Sequence, residues 1–288
     1  DSARESARIA ASGVAQISSG RGDARPSRSG ISIKQTLFGM NGFMIVLILA
    51  LAALSLHHAW IERSNAKRIH EVNLIADFML SSTRHWAVER GTTFGALNAN
   101  EPTPADVMNK IKEQRAKGDE AYRHALEAIT AKLQLVGLES QISDSKDKFE
   151  ALVALRARVD AALAVPRDRR DSDSVKTFTP TATANIMAAT AVRGAAARQA
   201  SELEGLVATL LEIKHFSWIA GEFAGRERAR IAAAIASGEA LDGPTLATLH
   251  HQRGQVDLAW GRVKAQVGAA TTPVVLKKAL AEAEAKFF

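Results

Sequence analysis

The feature that most constrains the fold of this chain is an uncharged apolar segment from Leu37 to Leu56, which is 20 residues long. Asn41 is its only strongly polar side chain. At about 1.5 Å per residue, a helix of this length spans roughly 30 Å, which is the thickness of a bilayer's hydrocarbon core. The segment therefore predicts a transmembrane helix over residues 36–57.

The residues before this segment, 1–35, are rich in Ser, Gly, Ala and Arg and predict a flexible tail. Six basic residues against three acidic ones give the tail a net charge of +3. Because basic flanks favour the cytoplasm, we expect a cytoplasmic N-terminus in a bacterial inner membrane, with the residues after about 58 in the periplasm. A signal peptide cleaved near Ala53-Leu54-Ser55 is the alternative, although such a peptide usually has a shorter apolar region.

Composition and periodicity indicate helices in the rest of the chain. Apolar residues make up 47% of the sequence but aromatic residues only 5%, and proline is rare, a balance that favours helix over sheet. In residues 58–98, inward-facing positions are spaced alternately by four and three residues, as in a helical bundle. We call this row of positions the seam. Its members are Val72, Ala76, Met79, Thr83, Trp86, Arg90, Thr93 and Leu97. No alternating strand pattern competes with it, so we predict an all-α fold.

Turn and capping residues divide the remainder into further helices. They begin at Thr103-Pro104, near Glu139, at Thr179-Pro180 as one long helix of about 181–237, at Asp242-Gly243-Pro244, and at Thr272-Pro273. The economical architecture is an antiparallel double four-helix bundle in residues 58–288. Bundle one would cover about 58–165, and bundle two about 180–288, incomplete at its C-terminus.

Arg90 occupies a seam position where a helical protein normally places an apolar side chain. A buried guanidinium needs a negative partner. Three interpretations stay open: Arg90 reaches water at the bundle end, it pairs with a glutamate, or it binds a small anion together with arginines of other helices. We expect the neighbouring Glu89 to point to a different face and to form an ion pair elsewhere. Arg156 occupies a similar seam position.

Two later helices offer further arginines for an anion. Arg226 lies nearer the inward side of its helix, whereas Arg228 points roughly the opposite way. Arg253 interrupts an apolar stripe formed by Leu246, Leu249, Val256, Trp260, Val263 and Val267. A solvated, charged helix end is the alternative interpretation of the basic residues around 226–230. The candidate anion-binding residues are therefore Arg90, Arg226, Arg228 and Arg253.

Several classes of function are disfavoured by the sequence. There is no cysteine, and the adjacent pairs His57-His58 and His250-His251 spread over about 100° of a helix, so we expect no metal site. No nucleophile–base pair or phosphate-binding glycine loop occurs, so we expect neither catalytic residues nor a cofactor here. The net charge of +6 is spread along helices, which disfavours binding of nucleic acid.

Three segments resemble a known family. They are Glu89-Arg90-Gly91 after Trp86, Gly225-Arg226-Glu227-Arg228-Ala229, and the helix with Leu249, Arg253 and Trp260. Together they are similar to the helical nitrate- and nitrite-sensing domain of bacterial receptors, over roughly residues 65–288. That domain occurs in chemotaxis receptors, histidine kinases, cyclic-di-GMP enzymes and soluble regulators.

The resemblance implies two joined four-helix bundles whose arginines hold the anion between helices. Arg90 matches the first motif, Arg226 or Arg228 the second, and Arg253 is the remaining candidate. We therefore expect the ligand-sensing, extracytoplasmic part of a membrane receptor, such as a methyl-accepting chemotaxis protein, that binds nitrate or nitrite as a homodimer. The alternative is a helical module that dimerises or binds a partner protein without a small-molecule ligand. Because the sequence begins at Asp1 rather than Met and stops at Phe288 inside a helical pattern, we expect it to be a piece of a longer protein, with an output module beyond residue 288.

Overall fold

A computed structural model describes residues 32–132, 137–201, 205–237, 240–268 and 272–287. These residues contain no strand, so the all-α prediction is confirmed. Residues 1–31 of the predicted flexible tail lie outside the described ranges. Besides a short 3₁₀ helix at Arg167–Arg169, the helices are α1 (Ile33–Asn98), α2 (Ala105–Lys132), α3 (Glu139–Leu163), α4 (Ser172–Ser201), α5 (Gly205–Ser237), α6 (Gly243–Val267) and α7 (Val274–Phe287).

The chain divides into two units, Asp1–Ala59 and Trp60–Phe288. In the first unit, α1 exposes its large apolar side chains; Phe38 is 70% exposed and Leu49 is 63% exposed. This helix is long and apolar enough to cross a membrane. It is the apolar N-terminal helix that the sequence predicts.

In the second unit, α1 to α4 pack as an antiparallel four-helix bundle around two core clusters. One cluster joins the end of α1 to the start of α2, and the end of α3 to the start of α4, through Leu97, Ile111, Leu163 and Phe178. The other joins the middle of α1 to the opposite ends of α2, α3 and α4, through Val72, Ile129, Leu138 and Ala196. Because the end of each helix meets the start of the next, neighbouring helices run in opposite directions.

The last three helices continue the antiparallel arrangement. Trp218 of α5 belongs to the core of the four-helix bundle. A third cluster joins α5, α6 and α7 through Ile213, Val263, Val267, Leu276 and Leu280. As predicted, Asp242 caps α6, where its carboxylate accepts a hydrogen bond from the Thr245 amide at 2.8 Å.

The predicted single helix at about 181–237 is wrong, because α4 ends at Ser201 and α5 begins at Gly205. Two contacts show that α4 and α5 form a hairpin: Arg193 Nη2 lies 3.1 Å from His215 Nδ1, and Arg226 Nη2 lies 3.7 Å from Met187 Sδ. The segment around the reversal, residues 195–211, includes no proline, and Gly205 is its single glycine. Helical periodicity therefore continues through the sequence and hides the reversal.

The start of α4 also differs from the prediction. The sequence places it at Thr179-Pro180, but α4 begins at Ser172 and contains Pro180 in its interior. The Asp171 carboxylate accepts a hydrogen bond from the Ser174 amide at 3.1 Å and so caps the first turn. Asp171 lies in a charged loop sequence, which conceals its capping role from a pattern-based prediction.

A buried arginine closes one end of the four-helix bundle. The Arg170 guanidinium donates hydrogen bonds of 2.7–3.1 Å to six backbone carbonyls at the C-terminal ends of α1 and α3, those of Ala96, Leu97, Ala99, Glu101, Ala162 and Val165. The last carbonyls of a helix have no partner within it, so this one side chain satisfies two helix ends. Burial, aided by the charge of Arg167, lowers the pKa of Arg170.

Trp86 is fully buried at the centre of the bundle, where α1, α2 and α3 meet. Its ring lies 5.3 Å from that of Tyr122 and 5.5 Å from that of Phe149, and its Nε1 donates a 2.8 Å hydrogen bond to Asp119. Gly118 packs directly against the indole. A Cβ atom at residue 118 would lie 2.5 Å from Trp86 Cδ1, which is closer than atoms can pack.

Gly118→Ala is therefore expected to destabilise the fold by about 1–3 kcal/mol, because the indole must shift and strain its hydrogen bond. Thermal unfolding followed by circular dichroism should show the melting temperature falling by several degrees. Gly261→Ala is the matched control on α6, since no atom outside the adjacent backbone lies within 4 Å of the position that a Cβ would take there. This control should be neutral or stabilising by up to about 1 kcal/mol, through helix propensity alone. Equal effects of the two substitutions would contradict the packing argument.

Candidate functional site

A cleft of about 1360 Å³ lies in the second unit, with most of its lining on α1, α4 and α5. Among the described residues that line it, eight are basic, and Glu222 is the one acidic residue. The basic residues are Arg84, Arg90, Lys110, Lys176, Lys214, Arg226, Arg228 and Arg230. Such an excess of positive charge in a concave surface attracts anions.

Arg90 and Arg226 meet in this cleft at a single carboxylate oxygen. Arg90 Nη1 and Arg226 Nε each lie 2.7 Å from Glu222 Oε1. Arg90 Nη1 also donates a 3.2 Å hydrogen bond to Thr183 Oγ1 of α4. The side chains of Arg90 and Glu222 are only 6% and 2% exposed, so this group of charges is largely shielded from water.

The two arginines control the protonation of Glu222. Burial alone would raise the pKa of its carboxyl group, but the adjacent guanidiniums of Arg90 and Arg226 outweigh burial and lower it below its ordinary value. Glu222 is therefore ionised at neutral pH. The three side chains together carry two positive charges and one negative charge, which leaves a net positive charge in a buried position.

Both guanidiniums have hydrogen-bond donors to spare. Arg90 uses only Nη1 for its protein partners, which leaves Nε and Nη2 without one among the described residues. Arg226 uses Nε for Glu222 and makes a 3.7 Å contact from Nη2 to a sulfur atom. Because a guanidinium offers five N–H donors in a rigid plane, each arginine can bind a further oxyanion while it keeps its bond to Glu222.

Local helix geometry explains how α5 presents these groups. Glu222 and Arg226 are four residues apart on α5, so they lie on one face of the helix. Gly221 and Gly225, each next to one of them, also line the cleft. No atom outside the adjacent backbone lies within 4 Å of the position that a Cβ would take at either glycine. The pattern Gly-Glu followed by Gly-Arg thus leaves open space beside both charges.

The other predicted arginines take different places. Arg228 lines the cleft and is exposed. Arg253 is not among the residues that line the cleft; its Nη2 pairs with Glu227 Oε1 at 3.1 Å, and its side chain is 54% exposed. The structure therefore brings Arg90, Arg226 and Arg228 together and leaves Arg253 apart.

The predicted inward position of Arg253 is wrong. The buried stripe of α6 is offset by one residue in this region and contains Gln252, Val256, Ala259, Val263 and Val267. Gln252 is 5% exposed and also lines the cleft. A pattern that counts only strongly apolar residues follows Leu249 instead, although Leu249 is only half-buried.

Glu89 points away from the cleft, as predicted, and pairs inside the four-helix bundle. Its carboxylate accepts hydrogen bonds from Arg156 at 2.9 and 2.7 Å and from Arg115 at 3.0 Å. Arg156 also binds Asp119 at 2.7 Å, and Arg115 also binds Asp160 at 2.9 Å. The predicted burial of Arg156 is confirmed, and its partners are carboxylates of the protein itself. The adjacent residues 89 and 90 therefore face two different interfaces.

Glu222 is the residue of this site that the sequence analysis missed. Arginines in inward positions do not by themselves indicate which carboxylate can reach two of them. The spacing of Glu222 and Arg226 by four residues, next to the Gly-Arg-Glu-Arg segment, is a signal that could have found it.

The comparisons with known proteins give one positive result. A family described as nitrate and nitrite sensing matches residues 84–285 of the chain. This range includes Arg90, Glu222, Arg226, Arg228 and Arg253. Neither the curated proteins nor the solved structures provide a match.

Proposed function

Since this chain belongs to the family of nitrate- and nitrite-sensing domains, we propose that the cleft lined by α1, α4 and α5 is the place where it binds the anion. The observation that carries the proposal is the meeting of Arg90 and Arg226 at one oxygen of Glu222, 2.7 Å from each. Two helices that are far apart in sequence thereby place two guanidiniums together, in a cleft with eight basic residues and one acidic residue among those described.

Nitrate and nitrite suit the unused donors of these arginines. Both ions are planar, and their oxygen atoms can accept paired hydrogen bonds from one edge of a guanidinium. In this proposal, Nε and Nη2 of Arg90 hold the anion from α1, and the remaining donors of Arg226 hold it from α5. The burial of Arg90 strengthens these interactions, because few water molecules compete for the same donors.

Glu222 has two tasks in this proposal. Its shared oxygen holds the two guanidiniums in place before the anion arrives, so that less conformational freedom is lost on binding. It also neutralises one of the two positive charges, which reduces the cost of burying Arg90 next to the partly buried Arg226.

The two remaining arginines receive different roles. Arg228 is exposed at the cleft, so we assign it to attraction of the anion rather than to direct binding, and its contribution should weaken with added salt. Arg253 would have to release Glu227 before it could reach the anion, so we assign it no direct contact in this state.

We further propose that the sensing region, residues 58–288, belongs to a membrane receptor of the chemotaxis class. The apolar helix near the N-terminus and the basic residues before it support a cytoplasmic N-terminus and a periplasmic sensor. Signalling as a homodimer would fit a receptor of this kind. Protease protection of the full chain in oriented membrane vesicles would test the topology.

One observation favours a second function, a helical dimerisation module without a small ligand. Arg90 and Arg226 already have a carboxylate partner in Glu222, so their burial alone does not require an external anion. The two functions differ in whether an oxyanion binds with saturation.

Isothermal titration calorimetry of the full chain in detergent distinguishes them. Sodium nitrate and sodium nitrite would be titrated separately in a chloride-free buffer, with sodium chloride as the control. We expect saturable heat with at least one oxyanion and binding of chloride at least about tenfold weaker, because a spherical ion cannot use the planar pair of donors. The absence of saturable heat with both oxyanions would contradict the sensor function and favour the dimerisation module.

A further inference from the structure

Another buried arginine, Arg193 of α4, has no carboxylate partner among the described residues. It is 3% exposed, and its Nε is buried without any hydrogen-bond partner. Of its nitrogen atoms, only Nη2 has a partner in the described part of the chain, His215 Nδ1 at 3.1 Å. Because a guanidinium only donates, Nδ1 must accept this bond, and the imidazole is neutral with its proton on Nε2.

The surroundings of Arg193 compensate its charge only in part. Its guanidinium carbon lies 5.2 Å from the centre of the Trp218 ring, which is a favourable cation–π distance. Burial lowers the pKa of Arg193 to about 10, although the more distant charge of Asp77 opposes this shift. Asp77 itself is bound to Lys214. Within the described ranges, the buried charge therefore lacks the direct counter-ion that Arg90 and Arg156 have.

A cavity of about 350 Å³ lies beside this arginine, between α4, α5 and Ala76 of α1. One part of its lining is polar and mostly basic, with Arg193, Arg198, Glu212, Lys214 and His215. The other part is small and apolar, with Ala76, Gly194, Ala197, Ala208 and Leu211. Glu212 accepts a 2.7 Å hydrogen bond from Gln266, and Lys214 pairs with Asp77, whereas Arg193 keeps unused donors.

We propose that this cavity is a second binding site, which takes a small organic anion with one carboxylate and a short apolar body. The carboxylate would accept hydrogen bonds from the guanidinium of Arg193, and the apolar body would pack against the alanines and Leu211. The volume of the cavity, about 350 Å³, supports a ligand of this size, because it is at the lower end of the range for small-molecule pockets. Lys214 lines both this cavity and the cleft proposed for nitrate, but Arg90 lines only the cleft, so this site does not depend on Arg90.

Calorimetric titration of the full chain with sodium butyrate tests this site. We expect saturable binding to the natural chain and at least about tenfold weaker binding to Arg193→Met, because the apolar replacement keeps the approximate volume but removes the donors. Arg198→Gln is the matched control on the same helix. It removes one positive charge from the lining of the same cavity, but Arg198 is exposed whereas Arg193 is buried. Because water and salt screen an exposed charge, this variant should change the affinity less than about threefold.

Two further measurements keep the test decisive. Arg193→Met should melt at the same or a higher temperature than the natural chain in anion-free buffer, because it removes a buried charge that no described carboxylate contacts. Arg90→Ala should bind butyrate as the natural chain does, so that failure of the nitrate site and failure of this site are distinguishable. No saturable heat with butyrate, or equal binding by Arg193→Met, would overturn the proposal. Nitrate binding that depends on Arg193, without any butyrate binding, would overturn its assignment to an organic anion.

Discussion

Replacement of Arg90 by alanine is expected to weaken nitrate binding about 100-fold. The substitution removes the Nε and Nη2 donors proposed to hold the anion, and hydrogen bonds that involve charged groups contribute about 1.5–3 kcal/mol each. It also leaves Glu222, which is 2% exposed, with Arg226 as its remaining partner. Glu222 would then draw Arg226 more strongly and compete with the anion. Calorimetry with sodium nitrate measures the change.

The control for this experiment is Arg84→Ala, which removes the same charge from the same helix and the same cleft. Arg84 is exposed, and water and salt screen exposed charges. We therefore expect this variant to bind nitrate within about threefold of the natural chain. Arg90→Lys adds a second comparison, since it keeps the charge but not the planar set of donors, and should recover only part of the affinity. Equal losses in Arg84→Ala and Arg90→Ala would mean that the cleft attracts anions by net charge alone.

The largest effect on stability is expected from Arg156→Met. Arg156 makes four hydrogen bonds of 2.7–3.1 Å to Glu89 and Asp119, and its side chain is 6% exposed. Its removal leaves two neighbouring carboxylates without the charge between them. Breaking a buried ion pair from one side typically costs about 3–5 kcal/mol, which in a domain of this size lowers the melting temperature by roughly 10 °C.

Arg158→Met provides a close comparison for Arg156→Met. Arg158 lies on the same helix and pairs with Asp173 at 3.1 Å, but its side chain is 58% exposed. Exposed pairs of this kind contribute about 0–1 kcal/mol, so its melting temperature should hardly change. If both variants melt alike, the Glu89–Arg156 pair does not stabilise the core. At temperatures where Arg156→Met remains folded, it should still bind nitrate, because its contacts lie away from the cleft.

The sequence predicts α1, α2 and α3 and their inward arginines well, for a physical reason. The seam of α1 from Val72 to Leu97 is long and regular, and each of its positions is buried in the structure. A cation within such a regular pattern is conspicuous, so Arg90 could be identified without coordinates. Arg156 is conspicuous for the same reason in α3.

The incorrect predictions fall in regions where the periodic pattern of apolar residues is less distinct. In α6, the buried stripe passes through Gln252 and Ala259, residue types that carry little apolar signal, so the sequence wrongly predicts an inward Arg253. Arg193 lies among alanines in α4, where helical periodicity cannot distinguish an inward from an outward face. Glu222 requires knowledge of which helices are neighbours. That information depends on the hairpin between α4 and α5, which the sequence conceals.

The placement of Glu89 and Arg90 on consecutive residues decides which side of the cleft can adjust to a ligand. Glu89 of α1 forms ion pairs with Arg115 of α2 and with Arg156 of α3. Rotation of α1 about its own axis would therefore break buried ion pairs. We therefore expect the wall that carries Arg90 to move little when the proposed anion binds. Closing movement is expected mainly from the wall where α5 carries Glu222 and Arg226.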